Sequence, residues 1–99
     1  MRAEAARQFQ TLPSRDRGIV QTAIDAKLKS QPTQETRAIK RLRANPVSEF
    51  ELRIGNFRVL YDVDVDENLV KIVLVGEKRG NTLFVEGQAY HDHESQDVE

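Results

Sequence analysis

The chain has 99 residues, which is enough for one small domain with a modest core and excludes a two-domain enzyme. Hydrophobic residues make up 38% of the sequence, more than disordered chains contain, so we expect a folded domain. Because the sequence has no cysteine, it excludes disulfide bonds and zinc sites built on thiolates. It has no apolar run long enough to span a membrane and no signal-peptide pattern at its start, so we expect a cytoplasmic protein without a membrane partner.

The net charge of −1 hides a strong asymmetry along the chain. Residues 1–58 contain 12 Lys and Arg against 6 Asp and Glu, a charge of +6, whereas residues 59–99 contain 3 against 10, a charge of −7. A basic part of this kind is typical of a surface that binds a polyanion such as nucleic acid. The alternative is that both charged parts are solvated faces without a ligand, and the charges do not decide between the two.

Two amphipathic helices are predicted at the start of the chain. In Ala3–Leu12 small and apolar residues recur at helical spacing, and Pro13 ends this helix. Ser14 is predicted as the N-cap of a second helix that begins at about Arg15. The apolar residues of the second helix recur at intervals of three and four: Ile19, Val20, Ala23, Ile24 and Leu28. The two helices therefore form a hairpin, which is followed by a loop around Pro32.

From Val47 onward the apolar residues alternate with a period of two, which predicts β-strands. Two of these strands meet at Gly55-Asn56, a two-residue hairpin turn for which type II′ is preferred and type I′ is also allowed. A third strand runs over residues 69–77 and is apolar on both faces. Residues 82–85 are predicted as a short fourth strand.

The order of these elements indicates an α+β fold, in which the N-terminal helical hairpin packs on an antiparallel sheet of three to four strands. The last nine positions, residues 91–99, are polar and acidic, which is typical of a flexible tail. We therefore expect a single domain over residues 1–90 followed by this tail.

The two-residue turn determines which residues face each other in the hairpin. Counting outward from the turn, Arg53 lies opposite Arg58 on one face of the sheet. The other face is apolar and forms the core under the helices: Phe50, Leu52, Ile54, Phe57, Val59 and Tyr61. If Asp62 pairs with Lys71 and this register continues without a break, Arg79 joins the face of the two arginines. The sequence therefore predicts that three arginines converge.

Two facing arginines repel each other by about 0.7 kcal/mol at ~6 Å in water, and by about 3 kcal/mol at an effective dielectric constant of about 20. A negative partner has to offset this repulsion. One interpretation is that Glu51 and Glu77 neutralise the arginines in a surface network. The other is that the arginines bind a phosphate, since the planar guanidinium group donates two parallel hydrogen bonds to phosphate oxygens. The residues alone leave both interpretations open.

Three segments of the chain carry a recognisable pattern: Arg43–Pro46 (RANP), Phe50–Asp64 (FELRIGNFRVLYDVD) and Val73–Arg79 (VLVGEKR). Together with the first helix, they resemble the RelE/ParE family of bacterial toxins, and the similarity extends from Ala3 to about Gly87. The resemblance implies a RelE-like fold, with a helical hairpin laid across a curved antiparallel sheet. The family usually begins with a strand before the first helix, and this strand is expected to be missing here.

The resemblance implies the growth-inhibiting toxin of a type II toxin-antitoxin module. RelE-type members cut mRNA in the ribosomal A site, whereas ParE-type members poison DNA gyrase. We predict a RelE-like, ribosome-dependent mRNA endoribonuclease (an mRNA interferase) that inhibits translation and needs no metal or cofactor. Its expected partners are the ribosome, mRNA and an antitoxin protein that holds it inactive in a hetero-oligomer. The alternatives are a ParE-like gyrase inhibitor and a catalytically weakened toxin that acts mainly as the partner of its antitoxin.

The resemblance also assigns roles to residues on the basic face of the sheet. Arg53, Arg58 and Arg79 correspond to the basic residues that hold the substrate and stabilise charge on the scissile phosphate. Glu51 is the candidate base for the attacking 2′-hydroxyl, with Glu49 as an alternative, because arginine is a poor base. Glu51 is also readable as a structural partner of Arg53. The residues expected to bind RNA lie in basic segments: Arg37, Lys40, Arg41, Arg43 and Lys78.

The sequence assigns no general acid. RelE-like nucleases carry a tyrosine near the C-terminus, but Phe84 lies close to its place without a hydroxyl group, and Tyr90 lies beyond the expected strand. Two charged segments, Asp62–Asn68 and His91–Glu94, have the composition of metal ligands without a convincing spacing or setting. We expect both segments to be solvated, with no metal bound.

Overall fold

The computed structural model describes residues 1–42 and 47–90, and these residues form two α-helices and six β-strands. The helices are α1 (Ala3–Gln10) and α2 (Ser14–Lys27). The strands are β1 (Ile39–Arg41), β2 (Phe50–Ile54), β3 (Phe57–Asp64), β4 (Leu69–Arg79), β5 (Thr82–Val85) and β6 (Gln88–Ala89). In this part of the chain the strands make one antiparallel sheet in sequence order. The predicted α+β architecture is confirmed, with six strands where three to four were expected.

The two additional strands lie at the edges of the sheet. β1 lies in the basic stretch after the Pro32 loop, where no element was predicted, because three residues are too few to show a period of two. β6 pairs with β5 through two residues only. No strand precedes α1 in residues 1–42. Residues 91–99 lie outside the described residues, so the acidic tail and the domain boundary stay predictions.

The second helix begins one residue earlier than predicted. Ser14 is its first helical residue, and Pro13 precedes it with φ −55° and ψ 151° and makes no side-chain capping bond. The prediction of Ser14 as N-cap is therefore wrong, because Pro13 cannot extend α1 and its backbone already turns the chain into α2. Arg17 donates from Nη1 to the Leu12 carbonyl oxygen at 2.6 Å and ties the turn between the helices. No helix in the described part of the chain is long and apolar enough to cross a membrane.

The helices pack on one side of the sheet, which we call the helix face. Phe50 and Tyr61 are fully buried there, and their rings stack with centroids 5.5 Å apart. The other buried residues of this core come from the helical hairpin and from four strands: Ala5, Val20, Leu28, Ile39, Leu52, Val59, Ile72 and Val75. Removal of this apolar surface from water is the main force that holds the helical hairpin on the sheet.

A smaller core lies on the opposite side of the sheet, which we call the arginine face because it also carries Arg53 and Arg58. Leu60 and Leu74 alternate with helix-face residues along β3 and β4, and Leu42 packs with them. Four partly buried side chains cover this cluster: Val47, Leu83, Val85 and Tyr90. Three of the four come from β5 and the residues after it, so the C-terminal strands curl over the arginine face.

A β-bulge divides the pairing of β3 with β4. Asp62 lies opposite Lys71, as predicted, but Leu60 lies opposite Leu74, so Val73 is an extra residue in β4. Beyond the bulge every β4 side chain points to the face opposite to the one predicted, because successive strand residues alternate between faces. The predicted placement is therefore wrong for three residues, which lie on the helix face: Val75, Glu77 and Arg79.

Tyr61 anchors the loop after α2 to the sheet. Its hydroxyl donates a hydrogen bond of 2.6 Å to the Pro32 carbonyl oxygen, and burial raises the pKa of this phenol above its usual range.

Tyr61→Phe should lower the free energy of unfolding by about 1 kcal/mol at neutral pH, because the hydrogen bond to Pro32 is lost. Above about pH 10 the unfolded phenol ionises while the folded one stays protonated, so the wild type should lose stability that the variant keeps. Chemical denaturation at neutral pH and at about pH 11 measures both effects, and equal alkaline losses in the two proteins would contradict the second.

Candidate functional site

Arg53 of β2 and Arg58 of β3 lie directly opposite each other on the arginine face, as predicted. The turn between them has φ +56° at Gly55, whereas Asn56 has no positive φ. A positive φ at the first turn residue alone is the type II′ pattern and excludes type I′. This turn twists with the strands and keeps the two arginines in register, so the pair is a product of local sequence.

Glu51 interacts with both arginines. Its Oε1 atom accepts a hydrogen bond of 3.0 Å from Nε of Arg53, and its side chain is only 15% exposed. Burial lowers the pKa of the Arg58 guanidinium, the negative charge of Glu51 raises it, and the positive charge of Arg53 lowers it. Glu51 therefore offsets part of the repulsion between the two cations, as the first of the two interpretations expected.

The Arg58 guanidinium is held against its own turn. Its Nη1 atom donates to the carbonyl oxygen of Gly55 at 2.8 Å and to that of Phe57 at 2.9 Å. In the described part of the chain, neither Nη2 nor Nε of Arg58 takes part in a hydrogen bond. The guanidinium carries five N–H donors, and the Nη2 and Nε donors form the fork that binds a phosphate with two parallel bonds. The site therefore combines a fixed cation with unused donors.

β4 brings Lys78 rather than Arg79 to the arginine face. Gly76 lies opposite Arg58 and therefore on this face, and Lys78 follows Gly76 by two residues along β4. The predicted convergence of three arginines is wrong, because the bulge in β4 shifts the register by one residue before Arg79 is reached. By register, Lys78 therefore lies on the same face as Arg53 and Arg58.

Arg79 has its own partners on the helix face. Its Nη2 atom donates to Oε1 of Glu77 at 3.2 Å, and its guanidinium lies 4.7 Å from the centroid of the Phe84 ring. Phe84 lies opposite Glu77, so this ring is on the helix face as well. Glu77 therefore does pair with one of the three arginines, as the first interpretation expected, but this arginine is Arg79 and the ion pair lies on the helix face, away from Arg53 and Arg58.

The basic residues predicted to bind RNA do not form one patch. Lys40 lies opposite Glu51 and therefore on the arginine face. Arg37 is exposed in the loop before β1. Arg43 lies outside the described residues, so its role stays a prediction. The register therefore places Lys40 on the arginine face and assigns Arg37 to neither face.

Arg41 lies on the helix-face side of β1, because it is opposite Phe50. Its guanidinium stands 5.0 Å from the centroid of the Phe50 ring, and Nη1 is 3.8 Å from Oε2 of Glu49. These contacts cover an edge of the core, so Arg41 has a structural role next to any role in binding. The pairing of Glu49 with Arg41 separates it from the arginine pair, which leaves Glu51 as the carboxylate of the site.

Tyr90 is a residue of the arginine face that the sequence did not assign. Its N–H donates to the Leu83 carbonyl oxygen at 2.7 Å, which continues the β5–β6 pairing by one step and places the two side chains on the same face. Leu83 in turn lies opposite Lys78. The sequence signal is Gly87, whose φ of +80° allows the short turn that leads back from β5. The fold thus brings a tyrosine to the side of the sheet that carries Arg58.

The described residues offer anion-binding and proton-transfer groups without a cluster of metal ligands. Residues 1–42 and 47–90 contain no group of three or more His, Asp or Glu side chains that could hold a metal ion. In the acidic turn, Oδ1 of Asp64 accepts a hydrogen bond of 3.1 Å from the Glu67 N–H, which is the role of a turn residue. The arginine face combines cations, the carboxylate of Glu51 beside the arginine pair and a tyrosine, which are the groups needed to bind a phosphate and to move protons.

No family model matches the chain, and no curated protein matches it significantly. Among solved structures, the chain is similar to a chain in the crystal structure of the toxin-antitoxin complex RelBE2 from Mycobacterium tuberculosis. The two sequences are 28% identical and the structures superpose with a TM-score of 0.62. The match covers 78% of this chain and 91% of that chain, so the likeness includes nearly all of the other chain's fold.

Proposed function

We infer that the chain is a RelE-like toxin of the RelE/ParE superfamily and belongs to a type II toxin-antitoxin system, because it is similar to a chain of the RelBE2 complex. Its partner is an antitoxin protein, by analogy with the complex that contains the similar chain. Its activity is cleavage of mRNA on the ribosome, which inhibits translation. The observation that carries the activity is the pairing of Arg53 with Arg58 across the type II′ turn, on the side of the sheet away from the helices.

Cleavage of RNA at this face uses the ribose 2′-hydroxyl as the nucleophile. Its oxygen attacks the adjacent phosphorus, the bond from phosphorus to the 5′-oxygen breaks, and the products are a 2′,3′-cyclic phosphate and a 5′-hydroxyl. Negative charge grows on the phosphate oxygens in the transition state, and Nη2 and Nε of Arg58 donate hydrogen bonds to them. Glu51 takes the proton of the 2′-hydroxyl, and the Tyr90 hydroxyl gives a proton to the leaving oxygen.

Basic residues around the arginine face bind the RNA backbone. Lys78 takes the place that the sequence assigned to Arg79, because it lies on the face of Arg58. Lys40 adds a further positive charge on this face, and we propose that Arg37, which is exposed in the loop before β1, also binds the backbone. Phosphate contacts of this kind release counterions, so cleavage should weaken as the salt concentration rises.

A second candidate is a ParE-like inhibitor of DNA gyrase that cuts no RNA. The hydrogen-bonded ion pair of Glu51 with Arg53 favours it, because a carboxylate already neutralises one of the two arginines. A phosphate that approaches this face has to overcome the repulsion of the same carboxylate. The ion pair equally favours a catalytically weakened toxin that acts mainly as the partner of its antitoxin.

Controlled expression of the wild-type chain in bacterial cells, with the ends of cellular mRNA mapped, tests these candidates. The nuclease arrests growth and leaves translated mRNA cut within codons. The gyrase inhibitor arrests growth with intact mRNA and trapped complexes of gyrase with DNA. If expression without the antitoxin neither slows growth nor cuts mRNA, the protein is not an active toxin, and the weakened form remains as a partner that binds an antitoxin.

Tyr90→Phe removes a single oxygen atom from the arginine face and should lower the rate of mRNA cleavage about 100-fold, since a positioned proton donor contributes at least this much. Single-turnover cleavage of ribosome-bound mRNA measures the rate. Tyr61→Phe is the matched control, because it loses a hydroxyl that lies in the core and bonds to Pro32. The control should cut at the wild-type rate. An unchanged rate in Tyr90→Phe would remove this tyrosine from the mechanism.

A further inference from the structure

Gln8 of α1 is a buried polar side chain in an otherwise apolar contact between helix and sheet. It is 6% exposed, and its Oε1 atom accepts a hydrogen bond of 2.9 Å from the backbone N–H of Val75, which is 1% exposed. Burial of an amide side chain is unfavourable unless hydrogen bonds replace those to water. Because the two residues are far apart in the sequence, the bond is a contact that only the tertiary fold can make.

Within the described residues, the N–H of Val75 has no partner in a neighbouring strand. Lys78 donates from its N–H to the Asn56 carbonyl oxygen, so on this side of the bulge the even-numbered residues of β4 point their N–H groups toward β3. Val75 therefore points its N–H toward the side of β5, but pairing with β5 begins only at Glu77. Gln8 supplies the acceptor that the sheet lacks at this point.

Before the bulge, the odd-numbered residues of β4, rather than the even-numbered ones, point their N–H groups toward β3. Arg2 donates from its backbone N–H to the carbonyl oxygen of Ile72 at 2.9 Å, so Ile72 points its polar groups away from β3. If β4 had no bulge, odd-numbered residues would continue to point toward β3, and the N–H of Val75 would bond there. The hydrogen bond to Gln8 therefore exists only in the bulged register.

The register decides which cation reaches the arginine face. In the bulged register Gly76 lies opposite Arg58, and Lys78 lies on the same face. In the continuous register Val75 would lie opposite Arg58, and Arg79 would replace Lys78. A shift of one residue exchanges the two faces of the strand, so a contact that is specific to one register selects one of these surfaces.

We propose that Gln8 holds β4 in its bulged register through the Val75 N–H, and that it is thereby a positioning residue for the arginine face. It acts through the backbone, at a distance from the cations that it places, and it selects Lys78 over Arg79. This placement follows from the register alone, whereas its consequence for mRNA cleavage rests on the proposed function.

Gln8→Met tests the proposal, because it keeps the size of the side chain and removes the acceptor. The Val75 amide should exchange with solvent at least about tenfold faster relative to the other core amides, and the nuclear Overhauser contact between Val59 and Val75 should weaken. Gln8→Glu retains an acceptor oxygen and should restore protection. Gln10→Met makes the same change at an exposed position of the same helix and should leave both signals unchanged.

Alanine variants of Lys78 and Arg79 report the register in the cleavage assay. In the wild-type background Lys78→Ala should lower the rate about tenfold, and Arg79→Ala should leave it unchanged. In the Gln8→Met background the effect of Lys78→Ala should shrink and an effect of Arg79→Ala should appear. In the Gln8→Glu background, Lys78→Ala should again lower the cleavage rate and Arg79→Ala should again leave it unchanged. If Gln8 only stabilised the fold, Gln8→Met would lower the cleavage rate, but Lys78→Ala would keep its full effect and Arg79→Ala would still have none.

Unchanged exchange at Val75 and an unchanged Val59–Val75 contact in a folded Gln8→Met protein would overturn the proposal. If this variant does not fold, a measurement on the wild-type protein tests the proposal. The hydrogen bond should give a scalar coupling between the Val75 nitrogen and Cδ of Gln8 in its NMR spectrum. Absence of that coupling would also overturn it. Loss of the register in Gln8→Met, together with a wild type that cuts no RNA, would support the positioning role and reject the proposed function.

Discussion

Replacing Arg58 with alanine is expected to lower the rate of mRNA cleavage about 100- to 1,000-fold, because hydrogen-bond donors to the transition-state phosphate are lost. The donors concerned are on Nη2 and Nε, since Nη1 is occupied by the carbonyl oxygens of Gly55 and Phe57. The substitution also removes the two hydrogen bonds from Nη1 to Gly55 and Phe57, which lowers stability. It removes the repulsion between Arg58 and Arg53 as well, and this offsets part of that loss. The free energy of unfolding should therefore change by no more than about 1 kcal/mol.

Single-turnover cleavage of ribosome-bound mRNA and chemical denaturation measure the two effects of the Arg58 substitution. Arg58→Lys keeps the charge and loses the planar fork, so its rate should lie between those of the wild type and Arg58→Ala. Arg15→Ala removes an exposed arginine of α2 and should cut at the wild-type rate. A folded Arg58→Ala protein that cuts as fast as the wild type would falsify the assignment of this residue.

Gly76→Ala is expected to destabilise the fold by about 3 kcal/mol, because the added methyl group has no space. A Cβ atom at this position would lie 2.7 Å from the Phe84 carbonyl oxygen, and that oxygen belongs to the backbone of β5. Side-chain atoms of Val85 and Leu83 lie at 3.1 and 3.2 Å, so relief in those directions is also restricted. In a domain of this size the midpoint of thermal unfolding should fall by about 12–24 °C.

Gly18→Ala is the matched control, because it adds the same methyl group inside α2 with no atom within 4 Å of it. Alanine is a better helix former than glycine, so this variant should gain up to about 1 kcal/mol. The two substitutions are thus expected to change stability in opposite directions. Thermal unfolding followed by circular dichroism measures both midpoints. Equal midpoints for Gly76→Ala and the wild type would mean that β5 can move away without cost.

The tight contact at Gly76 also concerns the arginine face. Gly76 lies opposite Arg58, and the backbone of β5 passes close to it. β5 carries Leu83, which packs on the smaller core of the arginine face. The pairing of Leu83 with Tyr90 then brings the tyrosine to the same side. Because Gly76 has no side chain, β5 can approach β4 closely at this point and hold Leu83 and Tyr90 on the arginine face. The glycine therefore contributes to the shape of the site as well as to the stability of the fold.

The hairpin of β2 and β3 was determined by the sequence itself. Gly55 accepts a positive φ, which permits a two-residue turn, and this turn leaves one register for the strands on either side. The alternation of apolar residues then assigns each side chain to a face. The pairing of Arg53 with Arg58 and the burial of Phe50 followed from these local facts.

The positions of Arg79, Lys78 and Tyr90 were decided only by the tertiary structure. A bulge adds one residue to β4 at a point that its apolar sequence does not mark, and a buried amide on α1, Gln8, is the partner of the displaced N–H. The three residues of β1 likewise form a strand because they pair with β2. The physical reason is the same in each case: these hydrogen bonds join segments that are remote in the sequence, so their energy is absent from any local pattern.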